Sequence, residues 1–101
     1  LKDNKFISKS VKHNLYWSKK IKKSLEEFDI YTNKISANFL LLNFNHCKLS
    51  AISIEKKLER QGIILREMDT YGIDNHLRLT IGNSVENKLF LKEIKKIFKN
   101  V

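Results

Sequence analysis

Two short apolar segments joined by a ten-residue connection constrain this chain more than any other feature. They lie within residues 62–82, GIILREMDTYGIDNHLRLTIG. Leu77, Leu79 and Ile81 alternate with Arg78 and Thr80, and Ile63 and Leu65 alternate with Ile64 and Arg66. Successive side chains of a strand point to opposite faces, so the pattern predicts two half-buried strands paired antiparallel. If Leu65 shares a core with Leu79, then Arg66 and Arg78 share the opposite face. In one register they stand directly across from each other, and like charges so placed repel. An anion between them relieves that repulsion, because a guanidinium fork grips carboxylate or phosphate with two parallel hydrogen bonds. The chain uses seventeen lysines and three arginines, Arg60, Arg66 and Arg78, so arginine is not its default cation. Two arginines on a solvated sheet face would show the same spacing.

The rest of the chain supplies the elements around this pair. Over residues 4–28, Ile7, Val11, Leu15, Ile21, Leu25 and Phe28 recur at helical steps, and Phe6, Tyr16 and Trp17 widen the stripe. Such a helix is about 38 Å long, more than a domain of this size covers by itself. Part of its apolar face is therefore expected to pack on something outside the chain. The first 23 residues hold eight lysines and one aspartate, which reads as a solvated helix face. Residues 29–37 are polar, a loop or ragged edge strand. NFLLLNF, residues 38–44, is too short for a helix and fits a strand covered on both faces or nearly so. Ser50 is an N-cap candidate for a helix over residues 51–61, with Ile54, Leu58 and Ala51 inward and Gly62 at the C′ position. Asn83-Ser84-Val85-Glu86 has capping-box spacing and opens a helix to Lys99. Its expected stripe is Val85, Leu89, Phe90, Ile94, Ile97 and Phe98. The order predicts a two-layer α+β domain spanning residues 1–101. Its three-stranded antiparallel or mixed sheet has LRLTIG in the centre and helices on one face, with a long N-terminal helix.

Composition excludes more than it proves. A length of 101 residues suits one small domain with a modest core. No apolar run approaches the ~20 residues that span a bilayer, and lysines interrupt every apolar cluster at the amino end. One cysteine, Cys47, forms no internal disulfide, which favours a reducing, cytoplasmic setting. Because the chain starts at Leu1, it is expected to be a piece of a longer polypeptide. The net charge of +9 admits a free-standing basic module that binds nucleic acid or another polyanion. Against this, the lysines fall on predicted outer helix faces without interleaved aromatics or arginines, so nucleic acid is not the expected partner.

Catalytic constellations are scarce. His13, His46, His76 and Cys47 match no metal-ligand spacing. Cys47 has no evident base or electropositive helix end beside it. Glu26–Glu27 and Glu55–Glu59 read as helix-surface carboxylates. No Gly-rich phosphate loop is present. His76 is placed either to touch a ligand beside the arginines or to be an exposed strand-end histidine.

SANFLLLNF, then a helix, then QGIILREMDTYGIDNHLRLTIGNSVENKLFLKEIKKI, resembles the carboxy-terminal small domain of a fold-type I, pyridoxal-phosphate-dependent aminotransferase. Within that superfamily it is most similar to histidinol-phosphate aminotransferase. The resemblance covers residues 38–98, and the preceding long helix also fits. It implies that Arg78 holds the anionic end of the substrate and that Arg66 assists at the same anion. The anion would be the α-carboxylate of glutamate or the phosphate of the other substrate. It further implies pyridoxal 5′-phosphate in the intact enzyme, a homodimer, no membrane, and a large domain that carries the Schiff-base lysine and the phosphate cup. No lysine here lies in a matching motif. On this reading the chain alone binds no cofactor and holds no catalytic residue, and supplies the substrate-clamping wall that moves on closure. A phosphothreonine decarboxylase or an aromatic aminotransferase on the same scaffold fits the same motifs.

Overall fold

A four-stranded antiparallel sheet carries three helices on one face. The computed structural model describes residues 2–34, 38–68 and 71–99, with side chains from residue 11 onward except at Lys34. The elements are α1 (Lys2–Glu26), β1 (Tyr31–Lys34), β2 (Phe39–Asn43), α2 (Ala51–Glu59), β3 (Arg66–Glu67), β4 (His76–Thr80) and α3 (Ser84–Lys99). The sheet order is β1-β2-β4-β3, so the last strand inserts between β2 and β3, as expected for LRLTIG.

Two expectations about the sheet are corrected. There are four strands, not three, because residues 31–34 pair with β2 in the register Tyr31↔Asn43 and Thr32↔Leu42. A polar stretch can serve at an edge: Thr32 is buried, while Tyr31 and Asn33 are exposed. The Ile63–Leu65 segment alternates as expected, but only Arg66 and Glu67 form ladder pairs.

The core lies on the helix-facing side. Leu40, Leu42, Leu77 and Leu79 from the sheet meet Trp17, Ile21 and Leu25 of α1, Ala51, Ile54 and Leu58 of α2, and Phe90, Leu91 and Ile94 of α3. Each fully buried aliphatic side chain contributes about 1.5–3 kcal/mol. α1 and α2 both end in the Schellman pattern. Gly62, at φ +81°, donates to the Glu59 carbonyl, and Ile63 donates to that of Leu58. Asp29, at φ +60°, does the same for α1, with Ile30 bonded back to the Leu25 carbonyl.

The α3 stripe differs from the expected one. Val85 is 75% exposed and Leu89 is 42% exposed, whereas Asn87 and Glu93 are buried. Asn87 sets the phase. Its Oδ1 accepts from the Gly82 N–H and its Nδ2 donates to the Gly82 carbonyl, both at 2.9 Å. Those two bonds turn position 87 inward and carry 90, 91 and 94 with it. The capping box is as expected: Asn83 N–H donates to Glu86 Oε1 at 2.9 Å and Glu86 N–H to Asn83 Oδ1 at 2.8 Å. A Cβ on Gly82 would meet Glu86 Oε1 at 2.6 Å, so only glycine leaves that box intact.

α1 is inward at Trp17, Ile21 and Leu25, while Val11 and Tyr16 are exposed at 41% and 58%. Five positions apart, those two lie on different sides of α1 and do not make the single uncovered strip that was expected. The Phe6 and Ile7 side chains lie outside the described residues.

Leu77→Ala, which removes a fully buried side chain, is expected to cost about 2–5 kcal/mol, against less than about 0.5 kcal/mol for exposed Val85→Ser. Urea unfolding measures both. Thr32 buries a hydroxyl that has no partner among the described residues. Thr32→Val, of the same shape, should leave the unfolding midpoint unchanged or raise it. A fall of more than about 1 kcal/mol would mean the hydroxyl has a partner after all.

Candidate anion site on the open face of the sheet

Alternation along β2 and β4 turns one set of side chains to the helices and the other to the opposite face, where Leu41 is buried as well. That second set is Phe39, Leu41 and Asn43 on β2 and His76, Arg78 and Thr80 on β4. Arg66 of β3 pairs directly with Arg78. Of the registers open to the sequence, the sheet adopts the one that sets the two guanidinium-bearing residues face to face. Directly opposed residues in an antiparallel pair have their Cβ atoms about 4.5–5.5 Å apart.

The two arginines differ in setting. Arg66 is exposed at the sheet edge and Arg78 is half-buried in the centre. The Nε of Arg78 is buried and has no hydrogen-bond partner among the described residues. Its Cζ lies 5.1 Å from the centroid of the Phe39 ring. An open groove of about 440 Å³ runs beside the pair, lined by Arg66, Arg78, Thr80, Ile64, Glu55 and Glu67. Two adjacent cationic forks at the wall of a groove have the donor geometry to take a carboxylate or a phosphate, although the carboxylates of Glu55 and Glu67 line the same groove.

Nothing in the sequence marks Phe39 as a site residue. Its period-2 position in NFLLLNF placed it opposite Leu40, but which strand it would neighbour depended on β4 inserting beside β2. His76 lies on the same face as Arg78, two residues away. Its Nδ1 donates to the Asp74 carbonyl at 2.7 Å, which ties it to its own turn.

The other candidates are dispersed. His13 Nε2 donates to the Gly82 carbonyl at 2.9 Å, tying α1 to the β4–α3 junction. His46 meets the Tyr31 ring edge-on at 5.6 Å between centroids. Among the described residues no group of His, Cys, Asp and Glu could hold a metal ion. Among the described residues no helix is long and apolar enough to cross a membrane. Burial pushes the Cys47 thiol above its ordinary 9.0, an effect that outweighs backbone hydrogen bonding from Leu49. With the folded value raised, the stability from a neutral thiol is complete below the ordinary value. It is lost as pH climbs through the raised one.

No protein-family model matches the chain. Histidinol-phosphate aminotransferase of Pelagibacter ubique is 52% identical over 99 residues, covering 97% of this chain and 28% of that protein. That of Campylobacter hominis is 34% identical over 97 residues, covering 96% of this chain and 26% of that protein. The chain thus spans just over a quarter of the length of these relatives. Among solved structures, a NifS-like protein superposes with a TM-score of 0.74 at 19% identity, covering 93% of this chain and 29% of that one. L-threonine-O-3-phosphate decarboxylase from Porphyromonas gingivalis gives 0.61 at 19% identity, covering 83% of this chain and 27% of that one.

At pH 8, Cys47 should alkylate more slowly than a free thiol, and the rate should rise into the alkaline range; a rate equal to that of free cysteine would place the thiol outside its apolar pocket. Identity of this extent along nearly the whole chain, together with this fold, makes it a small domain of the fold-type I aminotransferases, homologous to part of the histidinol-phosphate aminotransferases.

Proposed function

We propose that this chain is the substrate-clamping domain of a larger pyridoxal-phosphate aminotransferase that moves the amino group between histidinol phosphate and 2-oxoglutarate in histidine biosynthesis. The observation that carries the reading is the direct pairing of Arg66 with Arg78 on the open face of the sheet. Two cations held there by backbone register repel, and an anion between them relieves the repulsion more directly than Glu55 and Glu67 at the groove wall. The α-carboxylate of glutamate or the phosphate of histidinol phosphate supplies it. The binding free energy then includes relief of that repulsion as well as new charge-assisted hydrogen bonds.

The roles divide by setting. Arg78, half-buried and central, faces less competition from water, so its bonds to an anion are the stronger ones. Arg66, exposed at the edge, closes the other side of the same anion. Together they orient the substrate so that its amino group points away from the sheet, towards the part of the enzyme outside this chain.

The cofactor supplies the electron sink for amino transfer when bound. None of the described residues lining the groove beside the arginines is a lysine, so the Schiff base is not assigned there. The groups that hold it are assigned to the large domain of the same polypeptide, in a homodimeric enzyme. The same domain would cover the exposed apolar positions Val11 and Tyr16 of α1.

The lysines give less support to polyanion binding. Lys12, Lys19, Lys20, Lys22 and Lys23 on α1, Lys56 and Lys57 on α2, and Lys88, Lys92, Lys95, Lys96 and Lys99 on α3 are all exposed. They are spread over the helix layer, away from the face that carries Arg66 and Arg78.

In the full-length polypeptide, Arg78→Ala should lower kcat/KM for glutamate and histidinol phosphate by at least about thirtyfold, leaving the cofactor absorbance unchanged. Arg66→Ala should act in the same direction and less strongly. Unchanged kinetics for Arg78→Ala would remove the clamp. Salt-sensitive binding of nucleic acid by the chain would favour the polyanion-binding module instead.

A further inference from the structure

We infer that Phe39 is a positioning residue for the anion clamp, its ring serving as the shelf that holds the Arg78 guanidinium in the direction of the incoming anion. The inference rests on the reading of Arg66 and Arg78 given above. Phe39 is paired with Thr80, so it stands diagonal to Arg78 on the same face of the sheet. Its ring reaches the guanidinium, with Cζ 5.1 Å from the centroid, inside the range of about 6 Å over which an aromatic face attracts a cation. Leu41, directly opposite Arg78, is 7% exposed and closes that side to water.

The chemistry explains why an aromatic side chain suits this place. An arginine is flexible, and a clamp works only if its fork is aimed before the substrate arrives. A carboxylate could aim it, but would occupy the donors and cancel the charge that the substrate anion needs. Here the buried Nε has no hydrogen-bond partner among the described residues, so hydrogen bonding at that atom does not fix the fork. The ring face holds the guanidinium through its quadrupole and uses none of the N–H donors. Phe39 is itself placed by its ladder position: it begins β2, and the Asn38 carbonyl just before it accepts from the Ile81 N–H at 2.7 Å.

The test uses the full-length polypeptide that carries this domain, with glutamate as the anionic substrate. It compares Phe39→Leu, Phe39→Trp, Arg78→Ala, and Phe39→Leu combined with Arg78→Ala. KM, kcat and the thermal midpoint are measured for each. Phe39→Leu keeps an apolar side chain and loses the ring face; it should raise KM for glutamate roughly three- to tenfold, more than it lowers kcat. Phe39→Trp should restore the KM, since the indole face is the stronger cation partner. The combined variant should be no worse than Arg78→Ala alone, because Phe39 acts only through that guanidinium. A wild-type KM for Phe39→Leu beside an impaired Arg78→Ala would overturn the role of Phe39 and leave the clamp standing. Losses that simply add in the combined variant would overturn it too, by showing that Phe39 acts through packing. An unimpaired Arg78→Ala would remove the clamp itself and this inference with it.

Discussion

One-sided burial of the sheet is the constraint on which the rest of this structure depends. Leu40, Leu42, Leu77 and Leu79 all turn towards the three helices, and the core cluster gathers there. A strand side chain has only two directions available. Once those four leucines are committed, Phe39, Leu41, Arg78 and Thr80 must emerge on the other side. The open face is therefore a consequence of the core. Its arginines are held at a fixed spacing by backbone hydrogen bonds that the hydrophobic effect stabilises.

That arrangement sets two positive side chains across from each other, with Glu55 and Glu67 lining the same groove. Cross-strand pairs of opposite sign stabilise a sheet and like pairs weaken it. Arg66 opposite Arg78 is a local conflict tolerated because the neighbouring leucines over-determine the register. Such conflicts are expected at functional sites, where the sequence serves a ligand as well as the fold. The twelve lysines described on the helices show the opposite policy, lying on outer faces where water screens them.

The junctions between elements are secured by short polar links. Asn75, at φ +59°, accepts the Ala51 N–H on its side chain at 2.7 Å and the Phe44 N–H on its carbonyl. It thus joins the start of β4 to the first turn of α2 and the end of β2. Gly82 plays the same part at the other end of β4, where Asn87 and His13 meet its backbone. Together these two points hold both ends of the central strand, and hence the position of Arg78 between them.

Much of this was legible in the residues, for local reasons. Ser50, Gly62 and the Asn83–Glu86 box announced helix ends because capping is a contact between near neighbours in sequence. Alternation at 77–81 announced which way Arg78 would face. The four-residue edge strand was open between loop and ragged strand in the sequence, because Tyr31–Lys34 has no apolar alternation and is settled only by pairing with β2. On α3, Phe90, Ile94, Ile97 and Phe98 pack inward as expected, but Val85 and Leu89 do not, because Asn87 looks like a surface residue until its bonds to Gly82 are seen. The residues by themselves thus determined element types, caps and the face of each strand, all set by interactions a few positions apart. The tertiary structure alone decided the register that sets Arg66 against Arg78 and brings Phe39 under the guanidinium. Those contacts join residues far apart in the chain, and they exist only once the core has closed around β4.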